Sequence, residues 1–266
     1  MVQICRVAEY GTLSSGIVDV AGDPLCLALE TATATASVAL LRGEVVLETR
    51  SSPDGQHHSE TLLPMIDALL ASGGHRLDDV ELFAVSIGPG AFTSLRIGLA
   101  TLKGLAFGSH RPAVAVSTLA ALALTAYRAL PAPAGGLLIP LLDARRGEVY
   151  AAAYSEADLA ADLGALKPRL AESVYGADEL ARALPEGGCL VGEGAEVVAP
   201  ALVRPETGEW RAWAEAPQTP DAVAVGLLGL AAAHTGAARP AADLVPRYVR
   251  RAEAEVTRTA ERLEPF

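Results

Sequence analysis

Aromatic residues are scarce: Phe, Trp and Tyr make up 5% of the 266 residues, so any core must be built mostly from Ala, Leu and Val. Cysteine is nearly absent as well. Cys5, Cys26 and Cys189 show neither C-x-x-C spacing nor an even-numbered framework. This argues against a structural zinc site or a disulfide scaffold and fits a reducing compartment. Positive charge is in deficit, and a formal net charge of −11 repels phosphate backbones, which argues against autonomous nucleic-acid binding. Arg247–Arg251 is a candidate basic patch, although charge runs are usually solvated and a solvated tail is the favoured reading. Long apolar runs are missing: Ala113–Tyr127 and Ala222–Ala233 are interrupted or short against the about 20 residues a bilayer span needs. Met1–Asp23 lacks the basic start and apolar block of a secretory signal. A soluble, cytoplasmic chain is expected.

What is present is a globular composition, 51% hydrophobic and 20% charged. Leu25–Leu29 is a continuous apolar run, expected as a strand buried on both faces and ending at Glu30. Strands Ser37–Leu41 and Val45–Thr49 meet across Arg42-Gly43-Glu44. A helix is expected from Ser59, as N-cap, to Ala71, with Leu62, Leu63, Ile66, Leu69 and Leu70 on one apolar face. Strand Leu82–Ile87, a glycine turn, a helix near Thr93–Phe107, strand Ala113–Val116 and helix Ser117–Leu130 follow, up to a Pro/Gly-rich break at Pro131–Gly136. The pattern then restarts: apolar strand Leu137–Leu142, acidic Asp143, turn Arg145-Arg146-Gly147, strand Glu148–Tyr154. Such self-similarity predicts a duplicated βββαβα lobe, with mixed sheets flanked by helices. Further on, Ala177–Leu184 reads as helix and Cys189–Gly192 as strand. A last helix should start at Thr219-Pro220-Asp221, with Pro at the first helical position, and end near His234.

Three constellations could carry chemistry. Glu30 and Asp143, at matching strand ends, are what a nucleotide cleft would use to hold a metal-bound phosphate. Such clefts also need glycines for close backbone approach, and Thr31–Ala36 has none. Weak nucleotide contact stays open. His57-His58 invites a metal reading, but four residues on stand Thr61 and Leu62, so no second ligand arrives at helical spacing. The third is Gly88-Pro89-Gly90-Ala91-Phe92-Thr93-Ser94-Leu95-Arg96-Ile97-Gly98, a strand, a tight turn and a helix N-terminus that could hold an anion. Its helix carries two small-residue stripes at four-residue spacing, Ser94/Gly98 and Ala100/Gly104/Gly108. Each lets a neighbour approach closely, so two stripes favour two neighbours, one of which could be another protein.

This third segment resembles the G-P-G-S-F-T-G-L-R-I-G signature of the bacterial TsaB (YeaZ) family of the tRNA threonylcarbamoyladenosine machinery. Leu25–Thr31, Ser37–Leu40, His58–Pro64, Asp143–Tyr150 and Pro246–Arg250 also look like that family and run in its order across residues 25–250. Ala91, Ser94 and Glu30 depart from it, standing where the family has Ser, Gly and Asp. The resemblance implies an α/β, duplicated actin/hexokinase-like (ribonuclease H-like) fold. It divides the chain into an extension (1–24), a partner-docking first lobe (25–116), a second lobe (117–239) and a tail (240–266) that could return to the first lobe. It implies a non-catalytic scaffold that docks and activates a TsaD-type catalytic paralogue for threonylcarbamoyl transfer to tRNA. A TsaE-type ATPase is a further partner, the lone protein is a homodimer, and tRNA is met only through the complex. No cofactor of its own is implied, since ATP and metal belong to the partner subunits and the paralogue's His-x-x-x-His pair lacks its second His here. The alternative within the superfamily is an ATP-dependent phosphotransferase or metallopeptidase acting alone. Docking is expected through the two first-lobe helices, at Leu62, Leu63, Ile66, Leu70, Thr93, Arg96, Leu99, Ala100, Lys103 and Gly104.

Overall fold

Alternation along β1 (Leu25–Glu30) sets the layers of the molecule, because successive side chains of a strand point to opposite faces. Leu25, Leu27 and Leu29 join one hydrophobic cluster and Cys26 and Ala28 another, on the face that Glu30 shares. All six residues are buried. The computed structural model describes residues 23–53, 55–109, 111–129, 136–203 and 209–249. Most of the extension with Cys5, residues 131–135 of the Pro/Gly break, His110, and the tail from Arg250 onward lie outside the described residues.

The first sheet holds β1, β2 (Ser37–Arg42), β3 (Val45–Ser51), β4 (Leu82–Ser86) and β5 (Pro112–Val116), with helices α1 (His58–Ser72) and α2 (Phe92–Ser109) between them in sequence. α3 (Thr118–Ala129) leads to the second sheet: β6 (Leu137–Asp143), β7 (Val149–Ser155), β8 (Leu170–Tyr175), β9 (Gly188–Val191) and β10 (Trp210–Ala212). Its helices are α4 (Glu156–Ala160), α5 (Ala177–Ala183) and α6 (Ala195–Leu202). α7 (Ala222–His234) and the short β11 (Arg239–Pro240) close the described chain. Strand orders are β11-β5-β4-β1-β2-β3 and β10-β9-β6-β7-β8. In each sheet the first strand pairs antiparallel with the second, the second antiparallel with the third, and the first parallel with the fourth. The two lobes are therefore copies of one topology, as the repeat in the sequence predicts.

The lobes exchange helices. α3, which follows the first sheet, lies on β6, β7 and β9; α7, which follows the second sheet, lies on β1, β2, β4 and β5. Assigning residues 117–239 to the second lobe therefore needs correcting, since α7 and β11 sit on the first sheet. The reason is steric. A Cβ on Gly226 would collide with Leu41 and lie 3.2 Å from Ala28, and one on Gly229 would lie 2.5 Å from the Ala84 side chain. The small residues of β1 and β4 meet the glycines of α7, and the sheet admits that helix closely. α7 is apolar all round because both lobes cover it, burying Ala222–Leu230 throughout.

Local ends also differ from expectation. α1 starts at His58 and not after a Ser59 cap; His57 stands at the cap position without a side-chain bond. His58 is instead buried, and its Nε2–H donates to the Thr33 carbonyl at 2.9 Å, tying the helix to the turn after β1. Pro220 precedes α7, and Asp221 is the N-cap, accepting from the Ala224 amide at 2.7 Å.

Candidate partner-docking face

The glycines of the Gly88–Gly98 segment are explained by neighbours in the chain itself. Gly88 has φ +122°, a conformation L side chains avoid, and a Cβ there would lie 2.6 Å from the Arg247 carbonyl. A Cβ on Gly90 would lie 2.5 Å from the Ala32 carbonyl, and one on Gly98 would collide with Thr31. Thr31 Oγ1 donates to the Ser94 carbonyl at 3.1 Å, and the Ala91 amide donates to the Ala32 carbonyl at 2.8 Å. The loop thus locks the start of α2 onto the turn after β1, with the Ala91 amide directed to protein and not to an anion.

The two stripes of α2 face different surroundings. Ser94/Gly98 packs inward on Thr31, whereas Ala100, Gly104 and Gly108 are exposed, and a Cβ on Gly104 or Gly108 would meet nothing within 4 Å. Of the residues expected to dock a partner, Leu63, Thr93, Arg96, Ala100 and Gly104 are exposed and Lys103 is half-buried. Leu62, Ile66, Leu70 and Leu99 belong instead to the first lobe's own core, where α1 and α2 cover Leu25, Leu27 and Leu29. Their helical spacing marks the inward face, so they are not available to another protein. Phe107, outside the expected docking set, is 80% exposed near the end of α2. Its signal, an aromatic within an otherwise small-residue exposed row, was present in the sequence.

Arg96 and Lys103 are occupied by the chain's tail. Arg96 Nε donates to the Tyr248 hydroxyl at 2.8 Å, its guanidinium lies 3.8 Å from the Phe92 ring centroid, and Phe92 stacks on Tyr248 with centroids 4.8 Å apart. Lys103 Nζ donates to the Ala242 carbonyl at 2.9 Å. Arg247 is likewise not a solvated end, since it pairs with Glu172 at 2.7 Å. No local pattern links positions 152 apart in sequence, so this arrangement was beyond reach of spacing arguments.

The acidic strand ends serve the fold. Glu30 is fully buried between β1 and α7, where burial pushes its carboxyl up to about 7 and the Asp221 carboxylate adds to the rise, while Ser86 and the Ala32 amide pull the other way. Asp221 is itself raised, chiefly by burial. Asp143 accepts from the Arg145 amide at 2.7 Å and from the Arg145 guanidinium at 3.1 Å. It thereby holds a turn in which Arg145, Arg146 and Gly147 all have positive φ. Among the described residues no group of three His, Cys, Asp or Glu side chains is arranged to hold a metal. No described helix is long and apolar enough to cross a membrane.

Duplicated lobes of this strand order, with helices between them, define a protein of the actin/hexokinase-like, ribonuclease H-like class. A family model described as "TsaD: tRNA N6-adenosine threonylcarbamoyltransferase" matches residues 49–169. The tRNA threonylcarbamoyladenosine biosynthesis protein TsaB of Escherichia coli is 40% identical over 129 residues, covering 48% of this chain and 54% of that protein. Its Haemophilus influenzae counterpart is 39% identical over 140 residues, covering 52% and 57%. The chain thus spans about half the length of the curated relatives it matches. The solved structure of YeaZ from Pseudomonas aeruginosa is 32% identical, with a TM-score of 0.68 over 85% of this chain and 99% of that one. The chain belongs to the TsaB/YeaZ family.

Proposed function

We propose that this chain is a cytoplasmic, non-catalytic subunit of the assembly that transfers a threonylcarbamoyl group to the adenosine beside the tRNA anticodon. In this reading it docks a TsaD-type catalytic partner through the outer faces of α1 and α2. ATP and metal belong to the partners, a TsaE-type ATPase joins the assembly, and tRNA is met only within it. Alone, the protein pairs with a second copy through the same face. One observation carries the reading: α2 presents Ala100, Gly104 and Gly108 outward with open space above its glycines, beside α1 with its exposed Leu63. A bare helical ridge of this kind suits close approach of a second helix. Burial of Glu30 and engagement of Asp143 by its own turn support placing the chemistry elsewhere.

The test is co-expression with the organism's TsaD-type protein. Wild type should co-elute as a mixed complex. Gly104→Arg should lose at least tenfold in affinity yet keep its fold, since replacing an exposed helical Gly gains up to about 1 kcal/mol of helix propensity. Co-elution of the variant at wild-type affinity would place the interface elsewhere. Substantial ATP turnover or bound metal in the lone chain would sink the non-catalytic reading in favour of a phosphotransferase or peptidase.

A further inference from the structure

We infer that the tail segment Pro246–Tyr248 is a clasp that fixes the second lobe to the first turn of α2, with Arg247 as the residue that spans the two. Arg247 touches both lobes. Its backbone amide donates to the Ile87 carbonyl at 2.8 Å, and its own carbonyl rests against Gly88, at the turn that feeds α2. Its guanidinium donates to Glu172 Oε2 on β8 at 2.7 Å. The Glu172 side chain is only 5% exposed, and its Oε1 accepts from the Tyr154 hydroxyl at 3.0 Å and from Ser117 Oγ. Removing Arg247 would leave a nearly buried carboxylate without its cation, the costly way to break such a pair.

The next residue completes the grip: Tyr248 stacks on Phe92 and accepts from Arg96, both on the first turns of α2. Upstream, Ala241 and Leu244 are buried in the first-lobe core and Lys103 holds the Ala242 carbonyl, so the segment reaches Arg247 already anchored along α2. This gives a single chain of contacts from β8 through Arg247 to the helix whose outer face we assign to docking. The clasp itself is a property of the lone chain. Its consequence for docking rests on the function proposed above.

Hydrogen exchange of the full-length protein separates the two. In Arg247→Ala, amides of residues 88–98 and of residues 170–175 should both exchange at least tenfold faster than in wild type, while α5 and α6 stay unchanged. Acceleration in one segment only, or in neither, overturns the clasp. Should Arg247→Ala fail to fold, Arg247→Gln keeps the aliphatic stem but removes the charge that pairs with Glu172, and must accelerate both segments at least threefold or the clasp fails. Where wild type binds the TsaD-type protein, Arg247→Ala should weaken that binding tenfold although Arg247 lies off the Ala100–Gly108 ridge. Unchanged affinity overturns the link to docking. Where wild type does not bind, the docking reading has failed and exchange alone decides the clasp.

Discussion

Glu30 shows how burial changes what a single acidic residue does. It ends an apolar strand, as the sequence suggests for a phosphate or metal site, but it is fully buried and its carboxyl is raised to about 7 from 4.5. A raised acid means the native state binds more protons than the unfolded chain between these values. Stability from this group is therefore full below pH about 4.5 and is lost as pH rises toward 7, by on the order of 3 kcal/mol. Asp221, raised in the same direction, adds to the trend. Urea unfolding across pH 4.5–7.5 should show wild-type stability falling relative to Glu30→Gln, whose amide cannot ionise. Parallel profiles would mean that Glu30 is ionised in the native protein.

At the scale of elements, α1 and α2 each present two faces, and the distinction decides what a substitution reports. Leu99 and Gly104 are one helical turn and one residue apart on α2, yet Leu99 is 5% exposed in the core and Gly104 is open to solvent. Leu99→Arg places a charge in the core cluster of Leu25, Leu27 and Leu29 and should destabilise the whole protein by at least about 3 kcal/mol. Gly104→Arg should leave the circular dichroism melting curve near that of wild type. Soluble Leu99→Arg with a native melting curve would mean that this face is less tightly packed than its burial indicates. Much of this was legible beforehand. The helices, their periodicity and the two stripes followed from residue spacing, but spacing cannot tell which of two apolar faces the sheet will claim. Spacing alone therefore puts Leu62, Ile66 and Leu70 among the docking residues, whereas the sheet claims them for the core.

For the whole molecule, the exchange of α3 and α7 joins the lobes into one cooperative structure. The cluster between the sheets draws Ala28 and Ala84 from the first, Leu138, Tyr154 and Val191 from the second, and α3 and α7 in between. Neither lobe can lose its partner without exposing that cluster, so unfolding should be a single transition. Trp210 and Trp213 both lie in the second-lobe region, whereas far-ultraviolet circular dichroism reports on the whole chain. The two denaturation curves should coincide. A fluorescence transition separated from the dichroism transition would mean independent lobes.

The sequence by itself determined the first-lobe strands and helices, the duplication and the family, because these rest on local periodicity and on motifs contiguous in the chain, whereas β8, β10, α4 and α6 of the second lobe carry too weak a pattern to be read from it. Only the tertiary structure decided that α7 crosses to the first sheet and that Glu30 is enclosed. It also decided that the glycines of Gly88–Gly98 fit against Thr31, Ala32 and Arg247, and that Arg96 and Arg247 are held within the chain. These depend on which surfaces meet at separations of tens to more than a hundred residues, and side-chain volume and burial settle them only once the lobes have closed.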